Sequence, residues 1–309
     1  MSNAKYRLIT RSDMDGLVCA VLLKEMDLID EIKFVHPKDM QDGKIEVTER
    51  DISTNLPYVP GVHLAFDHHL SETIRNEKHD NHIIDPKAPS AARVVYDYYG
   101  GKERFPRVSD TMMTAVDKAD AARFSRDDIL DPNDWDLLSF LMDARTGLGR
   151  FREFRVSNYT LMMDLIDYCR DHRIDEILNL PDVRERVELY LDHSDKAKEQ
   201  IRRCAAVHGN LVVLDLRNEE TIWATNRFTI YALFPQCNIS IHVMWGVQKQ
   251  NTVFATGKSI LDRSSKTNVG ELMLQYGGGG HQAAGTCQVA NDQADATLAE
   301  LIAKINADG

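Results

Sequence analysis

The chain has 309 residues, 43% hydrophobic and 28% charged, with a formal net charge of −11 at pH 7. That composition excludes a mainly disordered chain and is long enough for two cores. The acidic balance argues against a general binder of long nucleic acid, whose phosphates require a basic surface, and no apolar run is long enough to suggest a membrane span.

In chain order, Tyr6–Thr10 reads as a short strand. A polar, Asp-rich turn follows, and Leu17–Met26 has the apolar spacing of a helix. Ile32–Val35 reads as a second strand, so the opening is a βαβ unit and predicts a parallel sheet. His63–Phe66 is a further strand ending in Asp67-His68-His69, and Ser90 is expected to cap a helix with Val94, Val95 and Tyr98 on one face. Residues 156–206 read as mainly helical, with the charge-rich stretch Val183–Arg203 expected to be a solvated connecting helix. A second αβ pattern opens at Leu211–Leu214 and continues through a helix near Arg227–Phe234 and a strand at Ile239–Met244. The boundary is expected near residue 200, dividing the chain into domains of 1–200 and 201–309.

The start of the chain has no basic-then-apolar leader, so a cytoplasmic protein is expected. Cys19, Cys169, Cys204, Cys237 and Cys287 are scattered and form no CxxC, which reads as packing residues rather than disulfides or a zinc site. His79 and His82 read as loop residues, and His172 and His193 as solvent-facing. Trp135, Trp223 and Trp245 read as packing residues.

Three motifs carry chemistry. In Asp13-Met14-Asp15-Gly16 two carboxylates follow a strand end, where ligands of parallel sheets gather. In Asp67-His68-His69 one imidazole can bind a metal while the next faces substrate, and the preceding carboxylate can orient a ring. In Gly277-Gly278-Gly279-Gly280-His281 the glycines expose backbone N–H groups that can wrap an anion, and His281 can donate to a phosphate oxygen.

In this order the motifs resemble the DHH phosphoesterase family with its C-terminal DHHA1 domain, from about residue 6 to 290. Within it the chain looks most like members labelled exopolyphosphatase-like, through Phe66-Asp67-His68-His69-Leu70-Ser71-Glu72 and Gly257-Lys258-Ser259-Ile260. The resemblance implies an α/β fold: an N-terminal doubly wound parallel-sheet DHH domain, a helical connector and a smaller C-terminal αβ DHHA1 domain, with the active site in the cleft between the two. It also implies two divalent ions, Mn2+ with Mg2+ or Co2+ as substitutes, which activate a water for attack on phosphorus.

Carried onto this chain, the resemblance makes Asp13 a ligand of the first metal, and Asp15 and His68 ligands of the second. His69 would face the phosphate and Asp67 would support the histidines. Asp51 is the expected bridging ligand, ahead of Asp39 and Asp42, which sit beside Gly43 and read as a turn. Asp120 is the expected last ligand, with Asp117 its rival. Lys258, Ser259 and Arg263, with Gly278, Gly279, Gly280 and His281, would cradle phosphate or nucleotide. Many relatives carry a histidine two or four residues before the first Asp, where this chain has Arg11 and Ile9.

The expected function is hydrolysis of a small phosphoester or phosphoanhydride: a short oligonucleotide, a 3′-phosphonucleotide or polyphosphate, with a cyclic dinucleotide less favoured. The alternative is a weakly active or inactive nucleotide- or phosphate-binding module whose metal site is impaired at Arg11 and Ile9. Long duplex nucleic acid and membranes are not expected partners, and the oligomeric state stays open between monomer and homodimer.

Overall fold

Leu8 and Ile9 are neighbours in the first strand, β1 (Tyr6–Thr10), and both are fully buried. Successive side chains of a strand point to opposite faces, so β1 is covered on both sides, as in a layered α/β sheet. The computed structural model describes residues 5–151 and 153–309. Its first sheet has the order β2-β1-β3-β4-β5, with β2 (Ile29–Phe34), β3 (Asp51–Thr54), β4 (Leu64–Asp67) and β5 (His82–Ile84). Every pairing in it is parallel.

Helices α1 (Met14–Glu25), α2 (Pro37–Gln41), α3 (Leu70–Arg75) and α4 (Ala91–Tyr98) follow β1, β2, β4 and β5 in turn. Met14 through Leu23 of α1 are all buried, packing with Leu8, α4 and the helices Asp110–Asp120 and Asn158–Asp171. Each fully buried Leu or Val on α1 contributes about 1.5–3 kcal/mol, so this helix anchors the turn that precedes it. On the other face Ile9 packs with Val35, Met40 and Leu56. Helices therefore cover both faces, and the sheet is doubly wound. The strand order reverses at β1, so the carboxyl ends of β1 and β3 form the switch point at which such sheets gather ligands.

The chain divides into two units by contact. The first takes the residues up to Arg123 with Asn133–Ala144 and Gly149–Val187; the second takes Phe124–Pro132, Arg145–Leu148 and Glu188–Gly309. The second unit holds a six-stranded sheet of order β10-β11-β9-β8-β7-β6. Its strands are β6 (Ala205–His208), β7 (Leu211–Asp215), β8 (Ile239–Trp245), β9 (Thr252–Lys258), β10 (Gly279–His281) and β11 (Ala284–Val289). Only β7 and β8 pair in parallel. Leu211 and Val213, with Ile239, Ile241 and Val243, alternate onto one face and meet Met273, Leu301 and Ile305.

Three expectations need correction. The helix Pro181–Cys204 is not simply solvated: Val183, Arg186, Tyr190, His193, Ala197, Gln200 and Ile201 are buried at helical spacing. Arg186 reaches burial because its guanidinium donates to the carbonyls of Val156 and Asp182 and to the Asn158 and Glu185 side chains. His193 lies on the same face, with its Nδ1 accepting from the Ala224 N–H and its ring edge-on to Trp223, so it is not solvent-facing. His82 is no loop residue; it opens β5, is buried, and stacks on Tyr58. The expected boundary near residue 200 falls inside the Pro181–Cys204 helix. All five cysteines are free, and no helix of the described residues is long and apolar enough to cross a membrane.

Candidate metal centre

β1 ends at Thr10, and three residues later Asp13 caps α1, its Oδ1 accepting from the Gly16 N–H at 3.0 Å. Gly16 is required for close approach rather than for an unusual backbone angle. A Cβ there would lie 2.0 Å from the Arg11 carbonyl oxygen and 2.7 Å from Thr10 Oγ1. The turn is thus drawn tightly onto the strand end, and Asp15 is carried on the first turn of the helix.

Asp15 is 2% exposed. Its two oxygens accept from the N–H groups of Ala92 (2.7 Å) and Ala91 (2.9 Å), the first residues of α4. A helix N-terminus favours an anion. Burial, with the nearby charges of Asp120 and Asp13, still pushes the Asp15 carboxyl well above the usual range. A carboxylate so placed favours a cation beside it.

β4 ends at Asp67, whose buried Oδ1 accepts from the His68 N–H at 2.8 Å and lies 2.7 Å from His69 Nδ1. His68 Nδ1 meets the Ala88 carbonyl at 3.2 Å, which makes Nδ1 the protonated nitrogen and aims Nε2 elsewhere. Nε2 points to Asp120 Oδ2 at 2.9 Å and Asp15 Oδ2 at 4.0 Å, yet it is buried and makes no well-aligned hydrogen bond. Burial pulls the ring's pKa down, but Asp120 and Asp15 outweigh it and hold His68 at about 9.

Asp15, His68 and Asp120 each offer a ligand atom, all within 4.8 Å of one another. Two carboxylates and an imidazole suit a manganese-like divalent ion, and a poorly satisfied Nε2 between two anions fits a ligand to one. Asp120, at the end of the helix Asp110–Asp120, is the aspartate brought to His68; Asp117 is held instead by Ser90 Oγ and the Arg93 guanidinium.

Asp51 is not brought to this group. It opens β3, in register with Arg7, and forms a two-pronged ion pair with that guanidinium at 2.7 and 3.0 Å. Thr48 adds two hydrogen bonds to Asp51 Oδ2. Three residues of strand separate Asp51 from the carboxyl end of β3, roughly 10 Å. The residue at that end is Asn55, which the sequence reading passed over. Asn55 is buried at a φ of 55°, and its Nδ2 donates to Asp13 Oδ1 at 3.2 Å. Asn55 Oδ1 and Asp67 Oδ2 are buried acceptors without a hydrogen-bond partner. Arg11 reaches the same carboxylate, with Nε 3.0 Å from Asp13 Oδ2.

No family model matches the sequence, and no curated protein matches it. Among solved structures, the chain is similar to the pGpG-specific phosphodiesterase PggH from Vibrio cholerae. The two are 66% identical over 99% of this chain and 100% of that chain, with a TM-score of 0.89. The chain belongs to the DHH phosphoesterase family. It is a divalent-metal-dependent phosphoester hydrolase acting on a small phosphorylated substrate. The DHH fold is also shared with Thermus thermophilus RecJ in complex with Mn2+ (12% identity, TM-score 0.53, 97% of this chain and 52% of that chain). CDC45 from Entamoeba histolytica shares it as well (10% identity, TM-score 0.52, 97% and 95%).

The remaining residues singled out in this DHH phosphoesterase lie in the second unit. Lys258 ends β9, and its N–H donates to Ala283 in the β10–β11 turn, so it neighbours His281. Lys258 Nζ donates to the Ser265 carbonyl at 3.0 Å. Ser259 is buried, its Oγ accepting from the N–H groups of Leu261 and Asp262. Arg263 Nε donates to the Ile260 carbonyl at 3.3 Å. The glycine run is largely a β-hairpin. Gly279 and Gly280 lie in β10, and a Cβ at Gly278 or Gly280 would fall 2.0 Å from Thr286 O or 2.3 Å from Ala284 O. Gly279 has open space beside it, and His281 is exposed.

Proposed function

We propose that this enzyme is a manganese-dependent phosphodiesterase that cleaves the linear dinucleotide pGpG into two molecules of GMP. The full-length match to a pGpG-specific phosphodiesterase at 66% identity carries this reading. It favours the short-oligonucleotide class over polyphosphate and 3′-phosphonucleotides.

The ion is held by Asp15, His68 and Asp120, the group whose ligand atoms converge. When bound, it supplies Lewis acidity to the phosphoryl group and lowers the pKa of water. The chain's own residues do the rest. Asp67 holds His69 Nδ1 and so fixes the ring, and Nε2 can donate to a phosphoryl oxygen when the ring carries its second proton. Water oxygen bonds to phosphorus, the bond from phosphorus to the 3′-oxygen breaks, and that oxygen takes up a proton. Both products are then 5′-monophosphates. Lys258, Arg263 and the Gly278–His281 hairpin are the groups we assign to substrate phosphate in the second unit. Five free cysteines suit a reducing, cytoplasmic setting.

The test is product release with Mn2+ from pGpG, other linear dinucleotides, a cyclic dinucleotide, 3′-phosphoadenosine 5′-phosphate and polyphosphate. GMP release from pGpG, with the highest kcat/KM of the series, is the expected result. Preference for polyphosphate or a 3′-phosphonucleotide would refute the dinucleotide assignment, and no release from any of them would favour the binding-module alternative.

A further inference from the structure

Arg11 is the feature of the metal centre that a two-ion scheme does not accommodate. Its Nε lies 3.0 Å from Asp13 Oδ2, its side chain is 39% exposed, and Asp13 is its one ion-pair partner among the described residues. Asp13 Oδ1 already accepts from the Gly16 N–H and from Asn55 Nδ2. A carboxylate with these donors, one of them permanently cationic, is a poor ligand for a divalent ion, which would also be repelled by the guanidinium. The end of β3 deepens the deficit, because Asn55 brings a neutral amide to Asp13 where a carboxylate would add negative charge. Asn tolerates the φ of 55° found there, so the position is settled by backbone geometry as well as by its contact.

Counting charges leads to the same place. An ion between Asp15 and Asp120 compensates those two carboxylates. Arg11 compensates Asp13, and Asp67 has the His69 ring and the His68 N–H. Among the described residues, Asp15, His68 and Asp120 are the sole group of three or more metal-ligating side chains whose ligand atoms converge. We propose that this chain holds a single divalent ion, on Asp15, His68 and Asp120, and that Arg11 supplies at Asp13 the positive charge a second ion would carry. The inference rests on the metal-centre reading above. It leaves the outer N–H groups of Arg11 to pair with a substrate phosphate oxygen, as a guanidinium does well.

Equilibrium dialysis of the whole protein against MnCl2, with elemental analysis, reads the stoichiometry. Electron paramagnetic resonance reads whether bound Mn2+ ions are exchange-coupled. The wild type is expected to bind one Mn2+ per chain, with an uncoupled spectrum. The double variant Arg11→His/Asn55→Asp, which removes the guanidinium and introduces a carboxylate beside Asp13, is expected to rise to two coupled ions. Two ions in the wild type, drawing on the unpartnered Asn55 Oδ1 and Asp67 Oδ2, would overturn the proposal. So would a double variant that stays at one. Arg11→Ala checks folding independently: it should keep one ion and lose at least tenfold in kcat/KM. No Mn2+ bound to the wild type at saturation would instead defeat the underlying metal-centre reading.

Discussion

His68 is held at about 9 by the carboxylates its Nε2 faces, so at neutral pH the ion-free ring is protonated. A metal binds only the neutral imidazole and must displace that proton. Calorimetry at pH 7.5 in buffers of different ionisation enthalpy should show release of about one proton per ion bound. Affinity should rise with pH up to about 9 and level off above it; affinity independent of pH would argue against His68 as a ligand. The sign is opposite for the ion-free fold. A raised histidine pKa stabilises it fully below the ordinary value of 6.5, and that contribution is lost as pH rises through about 9.

Asp51 and Asp15 make a sharp contrast at the same scale. Replacing Asp51 by Ala strips Arg7 of its partner and leaves the Thr48 N–H unpaired, at a cost of about 2–3 kcal/mol in stability. Denaturant unfolding should show that loss while Mn2+ affinity stays within about threefold, since the ion pair lies at the other end of the strand. A large drop in affinity with unchanged stability would restore Asp51 to the metal centre.

At the scale of elements, the glycine run offers a clean separation of packing from binding. Gly278→Ala forces a Cβ against Thr286 O, breaking the approach of β10 to β11, and should cost about 1–3 kcal/mol or more in thermal stability. Gly279→Ala meets nothing within 4 Å and should leave the melting temperature unchanged. If this hairpin grips substrate phosphate, Gly279→Ala raises KM; an unchanged KM would reduce the run to a folding device.

Much of the fold was legible because its signals were local. The strand–turn–helix order of β1 and α1, the apolar spacing of α1 and the Ser90 cap are each written within a few residues. The Asp13-Met14-Asp15-Gly16 and Asp67-His68-His69 motifs sit at strand ends, so finding the strands located them. Asn55 was missed because β3 is four residues long, largely polar and buried only through its neighbours. An acidic residue was sought there, which selected Asp51 at the strand's start. The run Ile52-Ser53-Thr54 followed by Asn55 was the available signal, since it places an αL-tolerant residue where β3 stops. The buried face of Pro181–Cys204 was hidden for a different reason: Arg186 and His193 look solvated by type but are satisfied by specific partners. Arg11 was visible as a departure from the family pattern, yet its contact with Asp13 required three dimensions.

For the whole molecule, the net charge of −11 opposes long polyanions, while two or three phosphates can be met by the ion and a few cationic side chains. Extending a linear oligoguanylate from two to ten nucleotides should lower kcat/KM at least about tenfold, because a longer strand adds repulsion without a basic track to bind it. Equal efficiency on the longer strand would point to a processive exonuclease.

The most direct test of the metal centre is GMP release from pGpG by the wild type beside Asp15→Asn and His68→Ala, each titrated with Mn2+ after chelation. Loss of even an outer partner of a metal ligand costs about 10–100-fold, so removing a ligand should cost more than about 100-fold. Mn2+-restored activity in the wild type, with both variants folded and that far reduced, is the predicted result. Full activity after chelation, or in either variant, would contradict catalysis at Asp15, His68 and Asp120.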